Sequence, residues 1–210
     1  MTPPSSSNTK RGLAVVPGAA LIVAVMVLAV MAASADAITF TGSPTINYDV
    51  PFYMYAGVWN SYCALNTAGT SKDIMCNIGV TDPAQATKFA ISGGCGPVPA
   101  SSNIKLAMYV PPTASQGAIR WCHVMSPSVD PSTTIRCNET ALPPAEFSFA
   151  NIVPASDGYL HGNASTITFT DIANGANRIC SAQSVYINNG RALCNRDSIS
   201  TWETFNFVPT

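Results

Sequence analysis

Beyond residue 45, apolar positions fall into short runs that alternate with polar ones or stand in small blocks. Gly, Pro, Asn and Asp interrupt them roughly every 10 to 15 residues, the punctuation of an all-β chain. No stretch after residue 37 keeps apolar residues at i, i+3, i+4 and i+7 for three turns, so no helix is predicted there. The runs predict twelve strands: 45–55, 60–65, 73–78, 87–92, 103–110, 119–125, 133–138, 146–152, 165–171, 177–183, 190–194 and 203–208.

These strands repeat as three units. Cys63, Cys122 and Cys180 stand 59 and 58 residues apart. Phe89, Phe147 and Phe205 stand 58 and 58 apart, and Cys76-Asn77, Cys137-Asn138 and Cys194-Asn195 fall between. The opening strands align as Ile46-Asn-Tyr48, Ile104-Lys-Leu106 and Ile167-Thr-Phe169. One unit is too small to bury its apolar face alone, so three must close on one another. A propeller needs about four blades or more. Four strands per unit instead suit a closed barrel capped by three hairpins, the β-trefoil, which removes open sheet edges. The expected units are 45–102, 103–163 and 164–210, within a domain of 38–210.

The third unit carries a family resemblance. Arg178-Ile-Cys-Ser-Ala, then Ala192-Leu-Cys-Asn-Arg196, then Trp202-Glu-Thr-Phe205 resembles a fascin-type β-trefoil unit. Units one and two match through Ile74-Met-Cys-Asn77 with Lys88-Phe-Ala-Ile91, and Ile135-Arg-Cys-Asn138 with Glu146-Phe-Ser-Phe149. The resemblance implies a trefoil of the fascin-like and ricin-like superfamily and carries no function. The Gln-x-Trp of ricin-type lectins is absent: Thr87, Ala145 and Glu203 stand two residues before the repeat Phe. No sugar-binding residues transfer, and no actin-contact motif stands out.

The N-terminus predicts export from the cytoplasm. Lys10 and Arg11 precede an apolar run over 13–34, followed by Ala35-Asp36-Ala37. This reads as a secretory signal peptide over 1–37. The alternative is an uncleaved type II single-pass anchor, since the run is long enough to span a bilayer, although Pro17-Gly18 interrupts it. The full chain has 10 basic and 11 acidic residues; removing Lys10, Arg11 and Asp36 leaves 8 and 10, a net charge of −2. That balance provides no basic patch for nucleic acid or an anionic membrane.

All seven Cys follow the leader. In an oxidising compartment they are expected to pair. The repeat selects Cys63–Cys76, Cys122–Cys137 and Cys180–Cys194, and leaves Cys95 as a free thiol. Asn138-Glu-Thr140 and Asn163-Ala-Ser165 are glycosylation sequons, so Asn138 and Asn163 are candidate acceptors.

Catalytic signals are missing. His123 follows a repeat Cys and is expected to point outward, opposite that Cys. His161 sits in Gly158-Tyr-Leu-His-Gly162, a predicted turn. No H-E-x-x-H, C-x-x-C or phosphate loop occurs, so no catalytic residue, metal or cofactor is expected. Glu146 and Glu203 lie at the repeat Phe as strand-end residues, and Trp121 and Trp202 belong to the repeat.

The segment Tyr48 to Trp59 stands outside the pattern as an aromatic loop. Tyr53, Tyr55 and Trp59 are the candidate ligand contacts, because such rings can stack on sugars; the alternative is that they plug the barrel. The expectation is a secreted, non-catalytic binding protein whose partner is carbohydrate or an extracellular protein. A Kunitz-type trefoil protease inhibitor is the second possibility, with Pro97-Val-Pro-Ala100 or 127–132 as its exposed loop. A structural wall component is the third.

Overall fold

The computed structural model describes residues 44–66, 72–109, 120–125, 133–139, 146–153, 155–171 and 176–210. The leader over 1–37 lies outside these residues, as does the loop 127–132. Among the described residues no helix is long and apolar enough to cross a membrane.

Thirteen strands form among them: β1 Phe52–Ala56, β2 Ser61–Tyr62, β3 Ala64–Leu65, β4 Ile74–Met75, β5 Lys88–Ser92, β6 Asn103–Met108, β7 Arg120–Val124, β8 Ile135–Glu139, β9 Glu146–Asn151, β10 Ser165–Asp171, β11 Ala176–Ala182, β12 Ala192–Arg196 and β13 Asn206–Pro209. A single helical turn, α1 Val185–Asn188, interrupts the last hairpin. The count differs from twelve because the predicted 60–65 strand breaks at Cys63 into β2 and β3.

Six strands make a ring. β1 pairs with β5, β5 with β6, β6 with β9, β9 with β10, and β13 with β1, all antiparallel. Ser165 and Phe205 close the circle by exchanging backbone hydrogen bonds of 2.7 and 2.8 Å. A closed ring leaves no unpaired barrel edge. Phe89, Phe147 and Phe205 are fully buried inside it, with Ile91, Phe149 and Phe207 two residues further along each strand. Burying each such ring contributes about 2–3 kcal/mol.

The register corrects the sequence alignment of the opening strands. Phe52 pairs with Phe89 and Ile104 with Phe147, while Ser165 bridges Phe205. Met54, Leu106 and Ile167 face Phe207, Ile91 and Phe149. Phe52, Ile104 and Ser165 are therefore equivalent, not Ile46, Ile104 and Ile167. The expected aromatic loop is also corrected, because residues 52–56 are the first barrel strand. Its alternation shows why: Phe52 and Met54 point inward at 1% and 0% exposure, and Tyr53 between them stays half-exposed.

Ile46 has another task. Its N–H donates to Leu160, whose N–H donates to Val98, whose N–H donates back to Ile46, at 2.8, 2.7 and 2.9 Å. These three buried side chains plug one mouth of the barrel. Hairpins close the other. Cys63–Cys76, Cys122–Cys137 and Cys180–Cys194 are bonded as expected, each tying its hairpin. The hairpins join through bridges Asp73↔Arg136, Thr134↔Leu193 and Met75↔Arg191. At their meeting point Asp73, fully buried, accepts a hydrogen bond from Arg136 Nε at 2.9 Å and has Arg191 Nε as an ion-pair neighbour at 3.2 Å.

Candidate functional site

The three aromatic candidates separate into two clusters. Tyr53 and Tyr55 both meet Tyr62, at ring centroid distances of 5.8 and 5.0 Å. Tyr55 is buried and its hydroxyl donates to Asn60. Burial first, and the neighbouring phenol second, push the Tyr55 and Tyr62 hydroxyls above their ordinary pKa. Tyr53 is half-exposed, with Lys88 Nζ 5.7 Å above its ring.

Trp59 goes elsewhere. It ends a 3₁₀ turn, Gly57–Trp59, after which Asn60 adopts a left-handed conformation (φ 49°) and reverses the chain. The indole N–H of Trp59 donates to Ala182 O at 2.8 Å, and its ring lies 5.3 Å from that of Trp202. Trp202 sits in the 3₁₀ turn Thr201–Glu203. The Glu203 carboxylate holds this turn in place by accepting from the Ser200 N–H at 2.7 Å and from the Ser200 hydroxyl. The Arg196 guanidinium lies over Trp202 at 5.6 Å. Its Nε is 3.5 Å from Glu203 Oε1, and its Nη2 donates to Gln183 at 3.4 Å.

A shallow depression of about 280 Å³ opens here, lined by Arg196, Ser198, Ser200, Trp202 and Glu203. Its wall combines an indole ring, a half-exposed guanidinium, a buried carboxylate and two hydroxyls. Such a set can stack on an apolar ring face and both donate to and accept from hydroxyls around it. Glu203 is 2% exposed and its oxygens already hold Ser200 and face Arg196, which suits a fixed wall. The sequence missed Trp202 because it was absorbed into the closing motif. The available signal was its failure to repeat: three residues before Phe89 and Phe147 stand Ala86 and Pro144.

The remaining candidates are dispersed. His123 is buried at 7%, not outward as expected; the residue facing away from Cys122 is covered as well. His161 bridges Thr45 and its Nε2 lies 3.0 Å from both oxygens of Asp157. Cys95 is free and exposed. Asn163 is half-buried beside the fully buried Ser165, whose hydroxyl donates to Asn163 O at 3.2 Å. Asn138 is on β8, with its side chain outside the description. Glu146 is exposed and pairs across from Lys105. Among the described residues no group of three or more His, Cys, Asp or Glu could hold a metal ion.

Pro97–Ala100 is no projecting loop. Val98 is fully buried, and Pro97 and Pro99 bridge Asn47 and Tyr159 on either side.

Comparison with solved structures identifies the architecture. A Kunitz type trypsin inhibitor from Cicer arietinum L superposes with a TM-score of 0.55 at 10% identity, over 80% of this chain and 94% of that one. CrataBL, a trypsin inhibitor from Crataeva tapia, gives 0.51 at 13%, over 79% and 99%. The fold is a β-trefoil. A third trefoil match is botulinum neurotoxin type C, which depends on interaction with two ganglioside molecules to get into cells; it gives 0.50 at 15%, over 79% of this chain and 44% of that one. No protein-family model matches the chain, and no curated protein does. At such identities the likeness carries the trefoil alone.

Proposed function

We propose that this chain is a secreted, non-catalytic binding protein that takes carbohydrate at a cell surface or wall. The observation that carries the reading is the Trp202 depression. It sets an aromatic platform beside a fixed donor–acceptor pair, Arg196 and Glu203, and two hydroxyls. Strand β12 and the Thr201–Glu203 turn carry Arg196, Trp202 and Glu203, so little order is lost among these three when a ligand arrives. Trp59 supports the platform from behind, which keeps it in the site as a packing partner. Tyr53 is the second half-exposed candidate, in the separate cluster. Two further supports are indirect. Three disulfides fit an oxidising compartment and export through residues 1–37. One trefoil neighbour also interacts with a carbohydrate-bearing lipid.

The competing inhibitor reading draws on the two trypsin inhibitors among the neighbours. The buried, doubly paired Val98 segment weighs against one of its two loops, and 127–132 lies outside the described residues. Binding of the full chain to immobilised polysaccharides decides between them. Trp202→Ala is expected to weaken retention about tenfold or more, while Tyr53→Ala leaves it within about twofold. Equal retention by Trp202→Ala and the parent chain would remove this site from the account.

A further inference from the structure

The three hairpins that close one mouth of the barrel meet in a cyclic pattern. Asp73, Thr134 and Arg191 each stand three residues before the second Cys of their unit. Each bridges a residue of the next hairpin: Asp73 with Arg136, Thr134 with Leu193, and Arg191 with Met75. These six residues form a closed circuit. Alternation fixes which way they face. Ile74, Ile135 and Ala192 stand between the two members that each hairpin contributes, and all three are fully buried in the barrel core. The six therefore look away from the barrel.

Charge does not balance in this circuit. Thr134, Leu193 and Met75 are uncharged, so two arginines and one aspartate leave a charge of +1. His123 pairs across from Arg136 on the same strand face, and protonation there adds positive charge. The two signs are also separated by depth. The Asp73 side chain is wholly covered, whereas those of Arg136 and Arg191 keep 24% and 31% of their surface. From these three residues, then, the solvent meets donors and no carboxylate oxygen.

Each guanidinium turns one nitrogen to the carboxylate. Arg136 Nε donates to Asp73 Oδ1 at 2.9 Å, and Arg191 Nε forms an ion pair with Oδ2 at 3.2 Å. The terminal Nη groups of both have no hydrogen-bond or ion-pair partner among the described residues. Nε atoms held at these distances from one carboxylate are at most about 8 Å apart, a gap that one oxyanion spans with an N–H···O bond of about 2.9 Å on either side. Thr134, wholly buried on the strand face of Arg136, adds a hydroxyl that has no hydrogen-bond partner among the described residues.

We propose that Arg136 and Arg191 form an oxyanion site at the centre of the hairpin cap, which takes a single sulfate, phosphate or carboxylate group. Guanidinium forks match such oxygens in both shape and charge. Two cations at one point receive one charged group; they do not make the broad basic patch that a polyanion needs. The site is separate from the Trp202 depression and does not rest on it. Its ligand reaches the protein as a free ion or as the acidic group of a sugar.

The test follows the arginine side-chain Nε–H signals of the full chain by NMR at neutral pH. Sodium sulfate is titrated in, with sodium chloride at equal ionic strength as the control. The expected result is a saturable shift at Arg136 and Arg191 with half-saturation near millimolar sulfate. No such shift is expected at Arg178 and Arg196, which already face Asp197 and Glu203. Arg191→Gln keeps a donor beside Asp73 and is expected to bind sulfate about tenfold more weakly. The parent chain decides by itself if that variant does not fold. A parent without a saturable shift overturns the proposal. So do shifts that chloride reproduces or that spread over all the arginines, and so does a folded Arg191→Gln that binds sulfate as the parent does. Sodium glucuronate, with glucose as the neutral control, separates the two sources. Glucuronate bound more tightly than sulfate supports the site as one for an acidic sugar, and the reverse supports it as one for the free ion.

Discussion

Asp73 is the residue whose environment the sequence least announced. The position three before the second repeat Cys reads Asp73, Thr134 and Arg191, so the repeat hides it as variation. In the structure that variation is complementary. One fully buried carboxylate accepts a hydrogen bond from Arg136 at 2.9 Å and forms an ion pair with Arg191 at 3.2 Å, from the second and third hairpins. Asp73→Ala removes the buried carboxylate and leaves Arg136 and Arg191 partly solvated, at 24% and 31% side-chain exposure, so it is expected to destabilise by about 1–3 kcal/mol in urea unfolding. Replacing it at no measurable cost would show the node to be idle. Asp157 provides a surface counterpart. The Tyr159 N–H first, and the His161 ring second, hold its carboxyl below the ordinary range. A lowered carboxyl stabilises above its unfolded value, and that contribution is lost as pH falls through the folded one. Amide protection at Tyr159 is thus expected to drop below about pH 4. Asp157→Asn should remove that pH step.

Element boundaries were largely legible, because turn residues and alternation are local signals. The predicted strands around Phe89, Phe147 and Cys122 lie close to β5, β9 and β7. The opening strand of the first unit was not. Ile46 and Phe52 are both buried apolar residues in extended chain, and only pairing distinguishes a plug from a barrel strand. Pairing is non-local and does not show in a single run of sequence. Cysteine spacing was more telling, since both members of each pair fall within one hairpin. Replacing Cys180 and Cys194 by Ala is expected to cost about 3 kcal/mol, because the bridge closes a loop of this length in the unfolded chain. Chemical denaturation at fixed pH reads that loss. Gly190 marks a close inter-hairpin approach: φ is +75°, and an added Cβ would sit 2.6 Å from Asn77 O. Gly190→Ala should lower stability by at least about 1–3 kcal/mol from backbone strain alone. An unshifted melting temperature would contradict the close contact.

The whole molecule spends its repeated residues on closure. Phe89, Phe147 and Phe205 fill the ring, while Ile46, Val98 and Leu160 seal one mouth. Cysteine-tied hairpins seal the other. Function must then fall to what does not repeat. The sequence pointed to a non-repeating aromatic segment and so reached Trp59. The half-buried ring beside it comes from a residue 143 positions later, Trp202, a proximity that only the closed ring creates. Arg196 and Ser200 come from the same short stretch as Trp202, where Ser200 and Glu203 form a capping box. The central claim is that this corner of the trefoil binds carbohydrate. It is tested most directly by screening the full chain and Trp202→Ala against a panel of wall polysaccharides, with trypsin inhibition measured on the same samples. The account predicts retention of at least one polysaccharide by the parent chain, about tenfold weaker retention by Trp202→Ala, and no inhibition by either. A blank screen alongside trypsin inhibition would contradict it.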